Sequence, residues 1–389
     1  MRKVYFDNAA TTRVKDEVIE EMQKYYSELY GNPSSIYNFG QLAKKAVEKS
    51  RVKVARLLNS NPDEIYFTGG GSEADNWAIK GILSANEKKG NHIITTKIEH
   101  HAILHTCEYL EKKGAEVTYL DVDENGLVDI KQLEESIKDN TVLISIMFAN
   151  NEIGTVQPIK EIGEIAKKHD IYFHTDAVQA VGNEVIDVKD MNIDLLSLSA
   201  HKIHGPKGVG ALYIKKGTRI HNLIHGGAQE KNKRAGTENV PGIAGLGRAA
   251  DIAYNNFDQK REKLIKLRDR LIEKIDKEIP ECQLNGHREK RLPGNVNFSF
   301  KYIEGESLLL YLDMEGISAS SGSACTSGSL DPSHVLMSIG LPHEIAHGSL
   351  RLSLSDYNTE EDVDYTVEKL INVVKRLRQM SPLYSKREE

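Results

Sequence analysis

Between about residues 60 and 215, short runs rich in β-branched and aromatic residues alternate with segments whose apolar residues recur every three to four positions. The runs are "EIYFTG", "HIITT", "EVTYLDV", "TVLISIMF", "IYFHTD", "DLLSLS" and "GALYIKK". Such alternation predicts βαβ units around a mostly parallel sheet. In "PIKEIGEIAKKHD", Ile159, Ile162, Ile165 and Ala166 share one helical face and Pro158 suits the first turn, so this helix should cover one face of the sheet. The texture changes near residue 258. "DQKREKLIKLRDRLIEKIDKEI" reads as a long charged helix with one apolar stripe, Leu264, Leu267, Leu271 and Ile275, and as the passage into a second unit. There the pattern is α+β: strands "NVNFSF" and "SLRLSL", a helix "ESLLLYLDM", a final helix from about Thr359 to Met380, and a tail "SKREE" expected to fray.

Composition narrows the partners. The 389 residues, 39% hydrophobic and 28% charged, are ordinary for a globular chain with a substantial core. A formal net charge of -6 supplies no footprint for direct nucleic-acid binding, and no stretch approaches the roughly 18 continuous apolar residues of a membrane span. The start, "MRKVYFDNAATT", has no apolar segment of the signal-peptide kind. Three scattered cysteines, Cys107, Cys282 and Cys325, fit a reducing compartment and neither a disulfide framework nor a CxxC metal site. The expected location is the cytoplasm.

In open α/β sheets ligands bind beyond the carboxyl ends of the strands, and four such places carry unusual chemistry. In "FTGGGSEADNWAIKG" a strand runs through glycines into a helix beginning near Ser72, where the amides of Gly70, Gly71 and Ser72 suit a phosphate; Ser72 with Asp75 reads equally as a capping box. "TTKIEHHAILHTC" clusters His100, His101 and His105 at a strand end, as acid, base or stacking groups; the glutamate and third ligand of a zinc site are missing, and no metal is expected. Asp176, in "IYFHTDAVQAVG", is either a helix cap or a partly buried carboxylate that needs a cationic partner such as a protonated ring nitrogen. Lys202, in "SLSAHKIHGPKGVGALYI", follows a strand between histidines and suits a Schiff-base nucleophile, whereas Lys207 reads as a turn residue. A phosphate cup, an amine, a carboxylate and a ring-stacking histidine are together the parts that hold pyridoxal phosphate. Cys325 is apart from all of these. Its setting, "ASSGSACTSGSLDPSH", has no apolar face to bury a thiol, which points to an accessible nucleophile or redox centre on a mobile loop.

These strings, with "YFDNAATT", "GNPSS", "NNEIGTVQP" and "RAGTENV", occur in order along essentially the whole chain, which resembles the cysteine desulfurases of the NifS/IscS type in the class-V aminotransferase family. The resemblance implies an α/β, aspartate-aminotransferase-like fold of pyridoxal-phosphate enzymes. It has a mostly parallel seven-stranded sheet in a large domain, residues 12–257. A smaller α+β domain, residues 1–11 and 258–389, carries the cysteine loop.

The resemblance also implies roles. Lys202 holds the cofactor, Asp176 faces its ring nitrogen, Gln179 its ring hydroxyl, and His100 stacks on the ring. Gly71, Ser72, Ser199 and His201 take the phosphate, with Thr237 reaching across from the second subunit of a homodimer. Arg351 grips the substrate carboxylate, with Asn151 beside it, through the planar fork suited to that group. L-Cysteine is the substrate: freed Lys202 moves the α-proton, Cys325 attacks the sulfur with His100 as acid/base, and L-alanine leaves while Cys325 becomes a persulfide. An iron-sulfur scaffold of the IscU/NifU kind, or a tRNA-thiolation or other sulfur-accepting protein, would receive the sulfur. A selenocysteine lyase or aminotransferase on the same fold, and a non-catalytic pyridoxal-binding platform, are the alternatives. Departures from the family pattern are Ser72 for a frequent threonine, Tyr37 for a frequent histidine, the missing glycine in "SLSDYNTEED", and a C-terminus, "MSPLYSKREE", like the NifS branch and without the IscS-type extension.

Overall fold

The computed structural model describes residues 2–321 and 332–385. The segment 322–331, with Cys325 and its expected mobile loop, and residues 386–389, most of the expected frayed tail, lie outside the described residues. Among the described residues the strands are β1 (Val4–Tyr5), β2 (Ile65–Thr68), β3 (His92–Thr96), β4 (Glu116–Leu120), β5 (Thr141–Ser145), β6 (Tyr172–Asp176), β7 (Leu195–Ser199), β8 (Gly210–Ile214), β9 (Cys282–Leu284), β10 (Asn295–Phe300), β11 (Ile317–Ser318) and β12 (Ser349–Ser353). Seven of them form one sheet in the order β2-β8-β7-β6-β5-β3-β4, and each corresponds to one of the seven expected runs. Strands β3 to β7 pair in parallel. Strand β8 is antiparallel to both neighbours, so β2 runs with the parallel strands and its carboxyl end opens at the same edge.

Alternation inside the strands builds two cores. Ile94, Ile144, Phe173, Leu196 and Tyr213 join the cluster on one face, whereas their neighbours Ile93, Leu143, Leu195 and Leu212 join the cluster on the other. Because helices cover both faces, all five residues of β3, β5, β7 and β8 are buried, which is why β5, β7 and β8 read as largely apolar runs. The helix Ile159–Lys168 buries its expected face, Ile159, Ile162, Ile165 and Ala166, with Pro158 at the N-cap rather than inside the first turn.

A third core lies around the antiparallel sheet β12-β10-β9. The expected stripe Leu264, Leu267, Leu271 and Ile275, on the helix Phe257–Glu278, is buried in it. Opposite stands the helix Glu360–Met380, capped by Thr359, whose hydroxyl accepts from Asp362 N while the Asp362 carboxylate accepts from Thr359 N. The N-terminal segment also belongs to this core: Val4 and Phe6 are buried there, and β1 pairs with β11 in parallel. Among the described residues no helix is long and apolar enough to cross a membrane.

Candidate functional site

Strand β2 ends at Thr68, and Gly69 to Gly71 lead into the helix Gly71–Ala85. A Cβ on Gly71 would lie 2.8 Å from Val178 Cγ2, so glycine lets this helix start close against the segment after β6 without displacing that side chain. The capping box expected from Ser72 and Asp75 does not form. Glu73 reaches back instead, its Oε2 accepting from Gly69 N at 2.8 Å, and leaves the Ser72 hydroxyl out of the cap. Asp75 turns inward, 1% exposed, on the apolar side of the helix next to Ala74 and Ala78.

Beyond β3, His100 caps the helix His101–Glu111, its Nδ1 accepting from Ala102 N at 3.1 Å. When the ring is neutral, the accepting Nδ1 carries no proton and the ring proton sits on Nε2. At the end of β6, Asp176 is 6% exposed and its Oδ1 accepts from Val178 N at 2.9 Å, a turn that orients the buried carboxyl. Beyond β7, Lys202 Nζ donates to the carbonyls of Ala9 and Ala10. Gln179 Nε2 donates to the same Ala9 carbonyl at 2.9 Å, and His201 Nδ1 lies 3.2 Å from Thr11 Oγ1. From the far side comes Arg351, on β12, which donates to the Asn151 carbonyl at 3.1 Å and to Asp7 at 2.9 Å.

These groups enclose a cavity of about 410 Å³. Gly71, Ser72, Ser199 and His201 line one part of it. His100, Asp176, Gln179, Lys202, Asn151 and Arg351 line the rest. Thr237 is exposed and does not line it; Cys325 lies outside the described residues. The cavity also takes Ala9, Ala10, Asp75 and Met147, to which the sequence reading assigned no part in the site. A carboxylate flanked by alanines on an otherwise apolar helix face was the available signal for Asp75; for Ala9 and Ala10 the string "DNAATT" marked the place without showing what it faces. Among the described residues no group of three or more His, Cys, Asp and Glu is placed to hold a metal ion. His101 and His105 stack at 4.8 Å between ring centres instead.

Burial dominates the electrostatics. It raises the Asp176 carboxyl above its ordinary range, opposed by His100, the Val178 amide and Lys202. It raises Asp75 further, with the nearby Asp176 charge adding to the effect. Behind them His174, held between Ser145 Oγ at 2.8 Å and Ser197 Oγ at 3.0 Å, is pushed down to about 3 by burial and is neutral. His201 is pushed down to about 4 by burial, then by Lys202 and Lys207. The floor thus holds two carboxyls that a cation would stabilise.

Residues 4–366 match the family described as Aminotransferase class-V. The chain belongs to the class-V aminotransferases. The cysteine desulfurase IscS of Clostridium botulinum (strain Hall) is 63% identical over 385 residues, 98% of this chain and 97% of that one. A solved NifS-like protein is 42% identical and superposes with a TM-score of 0.91 over 96% of this chain and all of its own. A structure described as SspA in complex with cysteine is 41% identical, with a TM-score of 0.82 over 92% of this chain and 100% of its own. In this class-V aminotransferase the cavity sits where the sheet's strand ends converge.

Proposed function

We infer that the chain is a cysteine desulfurase, removing sulfur from L-cysteine to leave L-alanine and a persulfide on Cys325, with pyridoxal 5'-phosphate as its cofactor. One observation carries this: a single cavity gathers Lys202, Asp176, His100 and Arg351 from four separate elements. Its buried polar groups suit that cofactor and substrate, since burial raises the carboxyls of Asp75 and Asp176 and Arg351 Nε has no hydrogen-bond partner among the described residues. A protonated ring nitrogen would offset the paired floor carboxyls, and a carboxylate would complete the Arg351 fork.

When bound, the cofactor supplies an electron sink for the carbon that bears the substrate's amine. Lys202 would hold it, and its Nζ then moves the substrate's α-proton. Asp176 would face the ring nitrogen, Gln179 the ring hydroxyl and His100 a ring face, with the His100 Nε2 proton available as an acid. Gly71, Ser72, Ser199 and His201 would take the phosphate, joined by Thr237 of the partner subunit. Arg351, with Asn151 at its side, would orient the substrate carboxylate.

Cys325 takes the sulfur. Its thiolate attacks the substrate sulfur, the bond from that sulfur to carbon breaks with its electron pair left on the carbon, which takes up a proton on the way to L-alanine, and Cys325 keeps the sulfur as a persulfide. The other thiols are poorly suited. Burial pushes Cys107 up to about 12 and Cys282 up to about 11, so neither is appreciably a thiolate at neutral pH. Both are free, which supports a reducing, cytoplasmic location.

A homodimer is supported by exposed apolar groups crowded in one stretch: Ile36, 91% exposed, with Tyr30, Tyr37 and Phe39. The third core, to which Val4 and Phe6 belong, supports division into residues 12–257 and residues 1–11 with 258–389. The sulfur acceptor is an iron-sulfur scaffold or another thiolation protein.

The test is to alkylate the protein after one turnover with L-cysteine and locate the label by mass spectrometry. Persulfide on Cys325, and no alanine over many turnovers from Cys325→Ser, is the expected result. A label confined to Cys107 or Cys282 overturns it.

A further inference from the structure

Glu73 stands in the first turn of the helix Gly71–Ala85, the helix whose start would take the cofactor's phosphate. A carboxylate there is favoured by the helix dipole, but it competes with an incoming dianion for the same field and repels it. Its place is tightly determined. Oε2 accepts from Gly69 N at 2.8 Å, and a Cβ on Gly69 would lie 2.7 Å from that oxygen, so a side chain at that bend would displace the carboxylate.

The opposing charge comes from a distant segment. Arg234 forks onto this carboxylate, Nε to Oε1 at 2.8 Å and one terminal nitrogen to Oε2 at 3.0 Å. The segment bearing Arg234 is held against its own backbone preference. Glu230, Lys231 and Asn232 have φ of 46°, 57° and 63°, three successive non-glycine residues in the left-handed region. The restraint is the buried Glu230 carboxylate, which accepts from both terminal nitrogens of Arg51 at 2.8 Å and from Phe67 N at 2.8 Å, on the strand leading to the glycines. The segment is therefore tied to the phosphate-binding turn at two points, and Thr237 follows Arg234 by three residues.

We propose that Arg234 is a positioning residue for the cofactor's phosphate: it neutralises Glu73 at the helix start, so that the carboxylate can brace the glycine turn without repelling the phosphate. This rests on the cofactor reading above. It requires no contact between Arg234 and the phosphate.

The test compares two ligands on the full chain stripped of cofactor: pyridoxal 5'-phosphate and pyridoxal, titrated by absorbance. Wild type should bind the phosphorylated form more tightly; equal binding of both would defeat the phosphate cup itself, a failure distinct from that of Arg234. Arg234→Ala should weaken pyridoxal phosphate on the order of tenfold and leave pyridoxal unchanged. Glu73→Gln, whose amide oxygen still accepts from Gly69 N, should bind the phosphate form at least as tightly as wild type. The double variant Glu73→Gln/Arg234→Ala should recover most of the loss. Equal loss of both ligands in Arg234→Ala, weaker phosphate binding in Glu73→Gln, or a double variant no better than Arg234→Ala overturns the proposal.

Discussion

Asp176 and Ser199 stand at the ends of β6 and β7, neighbours joined in register at Asp176 and Ser197, and Lys202 follows one turn later. The opposite wall is assembled differently. Asp7 and Arg351 meet across 344 residues, Asp7 bridges to Ser353, and Arg351 bridges to Ser320, so this side is the seam along which the N-terminal segment joins the third core. On the floor, backbone register aims the side chains, and replacing one alters chemistry within an intact frame. On the wall, side chains aim one another, and replacing one alters both the grip on a ligand and the seam.

The sharpest way to break this contrast is Lys202→Ala. Its Nζ bonds only add to a loop already tied to the floor by Gln179 and by Thr12, whose hydroxyl donates to the His201 carbonyl at 2.9 Å, so the fold should survive. Alanine release should fall by a factor on the order of 10⁴ or more, with loss of the visible absorption of covalently held cofactor. Retained absorption would move the amine's role to another residue, Lys207 first.

Asp176→Asn keeps shape and removes charge. The amide oxygen can still accept from Val178 N, so cofactor should bind, but the ring nitrogen loses its counter-ion and turnover should fall on the order of a hundredfold or more. Wild-type rates of alanine formation would contradict a floor that works through charge.

The floor was legible because it is local. Parallel strands buried on both faces leave unmistakable apolar runs, and the residues just beyond them are where polar chemistry collects. The placement of Asp176 and Lys202 follows from that rule, whereas Ser199 was assigned only through the family resemblance. The wall was not legible from patterning, since β1 and β11 are two residues each, too short for any period, and nothing local links Asp7 to Arg351. Asp75 shows a different failure. Four residues into a helix it looks like a cap partner, the apolar face around it went unused, and the tertiary neighbours His174 and Ser197 settle that the carboxyl points inward.

The wall is tested by Arg351→Lys. Lysine keeps the charge and loses the planar fork, so KM for L-cysteine should rise on the order of tenfold while kcat changes less. A fall confined to kcat would place Arg351 in the chemistry rather than in substrate grip.

The smallest effect is one of stability, and it separates floor from wall by pH. Glu99, 1% exposed, lies behind the floor: its Oε1 accepts from Thr96 Oγ1 at 2.8 Å and from the amide of the cavity-lining Met147 at 2.9 Å. Burial pushes its carboxyl up to about 8. An unfolded chain loses this proton near the ordinary value of about 4.3, so between that pH and 8 the folded state binds more protons, and stability falls as pH rises through the window. Glu152, on the wall and accepting from Ser333, is pushed up to about 7 by burial and acts in the same direction over a narrower span. The buried neutral His174 acts oppositely, with stability lost as pH falls below about 6.5. Glutamine is uncharged throughout. From pH 5 to 9, Glu99→Gln should therefore lose less melting temperature than wild type, by on the order of a few degrees, and Glu152→Gln should show a smaller difference that is complete at lower pH. Thermal scans across that range read it directly. Curves for Glu99→Gln and wild type that stay parallel would mean that Glu99 is not protonated in the fold, and that the region behind the floor tolerates a buried carboxylate.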